Sequence, residues 1–406
     1  MSVVLVINCG SSSIKFCLFQ MPGNEDIATG ILEKIGNPDS RLVLKNSGNE
    51  HIIEQPINAH PEGMQLILKT LTDPNLGIIN EISEIHAVGH RVVHGGEAYH
   101  GSVLIDDTVI QTIRDFSDLA PLHNPPNLSG IHAAMSVLPE VPHTAVFDTA
   151  FHQTIPEKAY LYALPYEFYE KFRIRRYGFH GSSHDYVASR AAMMLDKPRE
   201  KINLITCHLG NGCSLTAIKN GKSVDTSMGL TPLEGLAMGT RSGDIDPAII
   251  FFLSTWAGGV FDIKSINTTL NKKSGLLGIS GISNDVRNIT EVAEQGHERA
   301  RLALDVFAYR IRKYIGSYMA VLGSVDAIVF TGGIGENSSG CRYDALSDLA
   351  GFGIDIDPEK NSSHAGGEGD IAKESSRTRV FVIPTNEEWY IANHAYEVSV
   401  KQKEVN

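Results

Sequence analysis

Cysteine is scarce in this 406-residue chain: Cys9, Cys17, Cys207, Cys213 and Cys341 are the five, and no two form a Cys-x-x-Cys pair. That spacing excludes a disulfide-stapled scaffold and a zinc ribbon, and it reads as reduced, packed thiols. Long apolar runs are missing as well, since none approaches the roughly 20 residues that a membrane span requires. The opening run Val3–Ile7 is short, has no basic lead and falls straight into a turn, so it is not read as a signal peptide. Positive charge is not in excess: the net charge is −12, which argues against a nucleic-acid or anionic-membrane surface and leaves only locally built anion sites. Several catalytic signatures are absent too. No Gly-x-x-x-x-Gly-Lys-[Ser/Thr] loop, no Gly-x-Gly-x-x-Gly opening a helix and no Gly-x-Ser-x-Gly elbow occurs, which removes the P-loop, the Rossmann fingerprint and the α/β-hydrolase nucleophile. His180-x-x-x-His184 has a spacing that suits zinc on one helix, but no His-Glu-x-x-His is present, and Gly181 with two serines favours a turn.

What is present is a globular composition, 42% apolar and 20% charged, in a chain too long for one ordinary core. Two glycine-hinged turns of one design stand out. Asn8-Cys9-Gly10-Ser11-Ser12-Ser13 lies between the apolar runs Val3–Ile7 and Ile14–Phe19, and His208-Leu209-Gly210-Asn211-Gly212 lies between Leu204–Cys207 and Ser214–Ile218. Strand, small polar turn, strand is a hairpin. Glycine lets a backbone approach a ligand, and converging turn N–H groups favour an anion, so a phosphate is the natural guest, with Lys15 as a point charge. The repeat predicts a duplicated α/β unit with a cleft between the copies.

The remaining pattern predicts a helix around 61–72, strands near 86–90 and 144–148, and a helix opening near Ser183 with that hydroxyl as its cap. It also predicts a long amphipathic helix over 297–322, whose Leu304, Phe307, Ile311, Ile315, Tyr318 and Leu322 are core contacts. Strands at 327–330 and 380–383 and a C-terminal helix complete it. Charged residues cluster beside glycine, proline or a strand end in His90–Gly96, Pro121–Pro125, Phe147–Thr149, Arg175–Gly181 and Gly239–Asp244, where loops present functional groups.

Across Val4–Phe16, Ile205–Ala217, Asp225–Gly235, Met238–Asp246, Phe330–Asn337 and Thr385–Glu388 the chain resembles the acetate kinase family of short-chain carboxylate kinases, and the likeness runs over essentially the whole length. The resemblance implies two duplicated actin-like (ribonuclease H-like) α/β domains with a nucleotide cleft between them. One is expected over residues 1–149 plus 386–406 and the other over 150–385. It implies ATP and ADP as substrates, magnesium or manganese as the metal, a homodimer and a cytoplasmic location, with no nucleic-acid or membrane partner. By motif, Asn8 and Glu387 resemble metal-site residues. Lys15, Ser12, His208, Leu209, Gly210, Asn211, Gly212, Asp285, Val286, Arg287, Gly333, Ile334, Gly335, Glu336 and Asn337 resemble nucleotide contacts. Arg91 resembles the substrate-carboxylate ligand, Asp148 the family's acid/base, and His180 and Arg241 the stabilisers of the transition state. Val93, Leu122, Phe179 and Pro232 match the lining of the acetate methyl pocket, and His123 joins the substrate residues; propionate kinases of the family tend to carry alanine where this chain has Val93.

A carboxylate nucleophile, with a pKa of roughly 4.3, is already ionised at neutral pH and needs no base. Asp148 is therefore expected to position a cation, water or the substrate. The expected reaction is ATP + acetate ⇌ ADP + acetyl phosphate by direct in-line transfer. A propionate kinase is the nearest alternative. A nucleotide-switched chaperone or filament subunit would not need the Arg91 and Arg241 pair, and a sugar kinase would need a base for its hydroxyl nucleophile.

Overall fold

The computed structural model of the chain describes residues 1–23, 25–121, 123–256 and 261–401. Contacts divide it into two compact units, Met1–Gln153 with the C-terminal stretch from Asn386, and Thr154–Thr385. The first unit holds strands β1 (Ser2–Cys9), β2 (Ser13–Met21), β3 (Asp26–Glu33), β4 (Arg41–Asn46), β5 (Asn49–Glu54), β6 (Ile85–Val92), β7 (Val103–Leu104) and β8 (His143–Phe147), in the order β5-β4-β3-β2-β1-β6-β8-β7. The second holds β9 (Asn203–Leu209), β10 (Cys213–Lys219), β11 (Lys222–Thr226), β12 (Ala327–Thr331), β13 (Gly369–Asp370) and β14 (Arg379–Val382), in the order β11-β10-β9-β12-β14-β13. The centres of the two sheets share one plan. β1 pairs antiparallel with β2 and parallel with β6, which pairs parallel with β8; β9, β10, β12 and β14 repeat the scheme. This duplicated α/β plan is the actin-like fold expected from the sequence.

Both expected hairpins form. Gly10 N–H donates to Ser13 O at 2.9 Å and Gly210 N–H to Gly212 O at 3.1 Å, which closes each turn. In the first sheet the period of two separates the faces. Leu5, Ile7, Ile14, Phe16 and Leu18 pack on one side with Met64, Ile67 and Leu68 of the helix His60–Leu71 and Ala133 and Ala134 of the helix Asn124–Val137. Val4, Val6, Cys17, Phe19, Ala87 and Val146 pack on the other with Ile391, Ala392 and Ala395 of the helix Glu387–Tyr396. Gly89 of β6 makes that second contact possible, because a Cβ there would lie 2.8 Å from Ile391 Cγ2.

The helix Gly181–Met194 begins before Ser183, and the turn expected around Gly181 is helical, so the hydroxyl of Ser183 is free to serve His208 rather than cap the helix. The long helix Glu298–Leu322 buries Phe307, Ile311, Ile315, Tyr318 and Leu322 as expected. Leu304 departs from that reading and, with Phe307, faces a cavity described below. All five cysteines are free and buried, and burial pushes the Cys9 and Cys213 thiols up to about 12, so they are inert packing groups. Among the described residues no helix is long and apolar enough to cross a membrane.

Candidate functional site

In the first unit the alternation that sends Val4 and Val6 toward the helix Glu387–Tyr396 sends Asn8 the same way, and Lys15 sits directly opposite Asn8 in the hairpin register. Arg91 and Asp148 continue the same face two residues beyond Gly89 and Val146, at the carboxyl ends of β6 and β8. In α/β sheets that is where ligands bind. Residues 8, 15, 91, 148 and 387, far apart in sequence, thereby gather at one end of one sheet.

Asp148, 1% exposed, is ion-paired with the Arg91 guanidinium, and Glu387 Oε2 lies 3.8 Å from Arg91 Nε. Burial alone would lower the Arg91 pKa, but Asp148 and then Glu387 outweigh it and hold the guanidinium charged. Arg91 Nε–H is buried and has no hydrogen-bond partner among the described residues, so one donor of the fork is open. Burial raises the pKa of Glu387, Arg91 opposes the shift, and Glu388 adds to it. A carboxylate in that state gains from a cation. The hard oxygen donors of Asn8 and Glu387 fit a small divalent ion that takes its other ligands from phosphate and water. No group of three or more His, Cys, Asp or Glu side chains among the described residues forms a dedicated cage.

Asn127, which the sequence pattern did not single out, and Asn124, within the Pro121–Pro125 cluster, build the loop after β6. Asn127 Oδ1 accepts from Val93 N–H at 3.1 Å while its Nδ2 donates to Cys9 O at 3.1 Å, tying β6 to β1. Asn124 Oδ1 accepts from His94 N–H at 3.1 Å and its Nδ2 donates to His94 O at 3.0 Å. Val93 is buried as a result. His123 stands half-buried at the start of the helix Asn124–Val137, and Leu122 lies outside the described residues. Ser12 is exposed on its turn.

The second unit gathers His180, the turn Leu209–Gly212 and Arg241. A Cβ on Gly212 would lie 3.3 Å from Arg241 Nη1 and 3.5 Å from both Cε1 and Nε2 of His180, so glycine keeps that corner open. Arg241 donates to Pro232 O at 3.3 Å and has no carboxylate partner among the described residues. Burial lowers its pKa, opposed only by Cys213. His180 takes a left-handed φ of 58° just ahead of its helix, a conformation that costs energy in a residue with a Cβ and is concentrated at functional sites. Its ring stacks on that of His208 with centroids 4.2 Å apart, and Phe179 beside it is buried. His184 is buried between Thr206 and Ser214 and is no metal ligand.

From this corner a cavity of about 1200 Å³ opens within the second unit. Gly210, Asn211, Asp285, Val286, Arg287, Gly333, Ile334 and Asn337 line it, together with Leu304 and Phe307. Glu336 and Gly335, expected as nucleotide contacts, do not. Glu336 Oε1 instead accepts from Gly332 N–H at 2.8 Å and Thr385 N–H at 3.1 Å. It holds the loop's own backbone. Arg342, fully buried, donates to the carbonyls of Gly335 and Glu336 at 2.8 Å each and anchors the same loop from below.

A family model described as the Acetokinase family matches residues 3–393. The chain is 56% identical over 390 residues to the acetate kinase of Halothermothrix orenii, covering 96% of this chain and 97% of that one. It is 55% identical over 400 residues to the acetate kinase of Thermotoga maritima, covering 98% and 99%. Among solved structures, Porphyromonas gingivalis acetate kinase superposes with a TM-score of 0.95 at 46% identity, covering 98% of this chain and all of that one. A propionate kinase from Francisella tularensis superposes at 0.91 with 43% identity and the same coverage. The chain belongs to the Acetokinase family.

Proposed function

We propose that this chain is an ATP:acetate phosphotransferase that runs ATP + acetate ⇌ ADP + acetyl phosphate by direct in-line transfer. As a family member it works on ATP and ADP with a divalent metal ion, which we take to be magnesium. The observation that carries the proposal is Arg241: a partly buried guanidinium, uncommitted to any carboxylate among the described residues, beside an open glycine turn and His180. Phosphoryl transfer asks the protein mainly to place reactants and neutralise charge on the moving group, and such a corner does that.

The remaining roles belong to the same proposal. The cavity behind Gly210 and Asn211 takes the nucleotide, with Asp285–Arg287, Gly333, Ile334 and Asn337 at its walls. Lys15, Ser12, His208, Leu209 and Gly212 serve the phosphates. Asn8 and Glu387 would hold the metal ion, which would supply positive charge against the phosphates. Arg91, part-exposed beside Asp148, offers its guanidinium to the acetate carboxylate. Asp148 is spent on the Arg91 guanidinium, which supports a positioning role and leaves the ionised nucleophile to attack without a base. Val93, Leu122, His123, Phe179 and Pro232 are assigned to the acetate, as the family resemblance implies. A homodimer in the cytoplasm completes the proposal; Phe251 and Ile263, each 69% exposed on the second unit, are apolar surface that a second copy would cover.

The likeness to a propionate kinase gives the second reading its weight, and Val93 separates the two. A hydroxamate assay for acyl phosphate, run with acetate, propionate, butyrate and glycerol, tests both. Acetate is expected to be preferred to propionate by roughly 10- to 200-fold in kcat/KM, and Val93→Ala to narrow the ratio. A wild-type preference for propionate would replace the first reading with the second.

A further inference from the structure

His180 is held from behind by a chain of hydrogen bonds that no catalytic role yet explains. Its Nδ1 lies 2.9 Å from Ser214 Oγ; the same oxygen lies 2.7 Å from His184 Nε2; and His184 Nδ1 lies 2.7 Å from Thr206 Oγ1. Thr206, His184 and Ser214 are fully buried. We infer that Thr206, His184 and Ser214 form a tautomer lock that keeps the proton of His180 on Nε2, the nitrogen beside Gly212 and Arg241. The inference rests on the reading above that His180 stands at the corner where the phosphoryl group is transferred.

Donor bookkeeping sets the direction of the chain. Ser214 is buried and the two histidine nitrogens are its side-chain partners among the described residues; accepting from both would strand its own proton, so it donates to one ring and accepts from the other. If His180 Nδ1 carried the proton, Ser214 would donate to His184 Nε2 and His184 Nδ1–H would donate to Thr206. The Thr206 hydroxyl proton would then be buried with no acceptor, since His184 is its one side-chain partner among the described residues. In the opposite sense every proton is used. Thr206 O–H donates to His184 Nδ1, His184 Nε2–H donates to Ser214 Oγ, and Ser214 O–H donates to His180 Nδ1. His180 Nε2–H is left as the donor at the corner that Gly212 keeps open. The stacked ring of His208 is fed in parallel, with Thr385 donating to Ser183 Oγ at 2.9 Å and Ser183 standing 2.8 Å from His208 Nδ1. Ser214, His184 and Thr206 are positioning residues: they act through His180, and a histidine presenting the wrong tautomer offers a lone pair where the phosphoryl oxygen needs a proton.

The test uses the full-length chain with ¹⁵N-labelled histidine, His180 being assigned by its disappearance in His180→Gln. Nitrogen shifts should report His180 with a protonated Nε2 and a bare Nδ1. Thr206→Val, which keeps shape and removes the donor, should shift His180 toward the Nδ1–H form and lower kcat about tenfold with little change in KM. Thr206→Ser should restore both. A wild-type His180 protonated on Nδ1, or a Thr206→Val enzyme with unaltered shifts, would overturn the lock. Should the shifts behave as expected while His180→Gln keeps its kcat, the lock stands and it is the assignment of His180 to phosphoryl transfer that falls.

Discussion

The guanidinium of Arg241 keeps its charge although burial pulls its pKa down, because arginine has far to fall before it loses a proton at neutral pH. Its hydrogen bond to Pro232 O fixes the direction of the fork and leaves the rest for phosphoryl oxygens. Arg241→Ala should lower kcat by roughly 10²-fold or more while circular dichroism shows an unchanged fold; near-normal turnover would remove the residue from the transition state. Glu387 has the opposite problem. Burial lifts its folded pKa above the ordinary carboxylate value, so the folded chain holds this proton more tightly than the unfolded chain does. Stability from this group is full below the unfolded pKa and is lost as pH rises through the folded one. Glu387→Gln should therefore raise the Tm of the metal-free protein at pH 7, by about 2–4 °C for a gain on the order of 1 kcal/mol, and the gain should vanish near pH 4. Thermal unfolding across that range decides the matter, and a lower Tm at pH 7 would show the Arg91 contact to dominate instead. The same substitution should weaken metal-dependent activity, so the residue gives up stability for function.

Among the elements, the helix Asn124–Val137 does most to place the carboxylate end of the site, because Asn127 is its bridge between β1 and β6. Asn127→Ala leaves Val93 N–H and Cys9 O buried without these partners. It should cost about 1–3 kcal/mol in urea denaturation and raise KM for acetate more than it lowers kcat. A fall in kcat at constant KM would place the defect elsewhere. This helix was not legible in the sequence. Pro125 and Pro126 read as loop punctuation, yet proline at the first helical positions suits a helix start, where the missing N–H has no partner to lose. The strands β3–β5 were also passed over. β3 carries Gly30 at its centre, which blurs the alternation, although Ser47-Gly48, with φ of 46° and 82°, was a readable hairpin turn. The hairpins around Gly10 and Gly210 and the helix Glu298–Leu322 were legible because glycine spacing and a long 3.6-residue period are strong local signals. Ser183 shows the limit of such signals. A serine at a helix start reads as a cap until the fold places His208 2.8 Å from its hydroxyl.

At the scale of the whole molecule, the repeated order of the two sheets explains why the residues of the site are scattered along the chain. Parallel strands deliver Asn8, Arg91 and Asp148 at their carboxyl ends in the first unit, where a helix start adds Glu387, and His208 and Gly332 in the second, where a helix start adds His180. Residue types and motifs were readable one by one. The pairing of Asp148 with Arg91, the bond from Thr385 to Glu336 and the chain from Thr206 to His180 were not, because each joins segments distant in sequence that only the fold brings together. Transfer of the γ-phosphoryl group of ATP to the acetate carboxylate is the central step, and ³¹P NMR of the purified chain with ATP, magnesium and acetate reads it directly. A growing acetyl phosphate resonance, matched by ADP and absent without acetate, is the predicted result; ATP that is unchanged, or converted to ADP and inorganic phosphate alone, would contradict it.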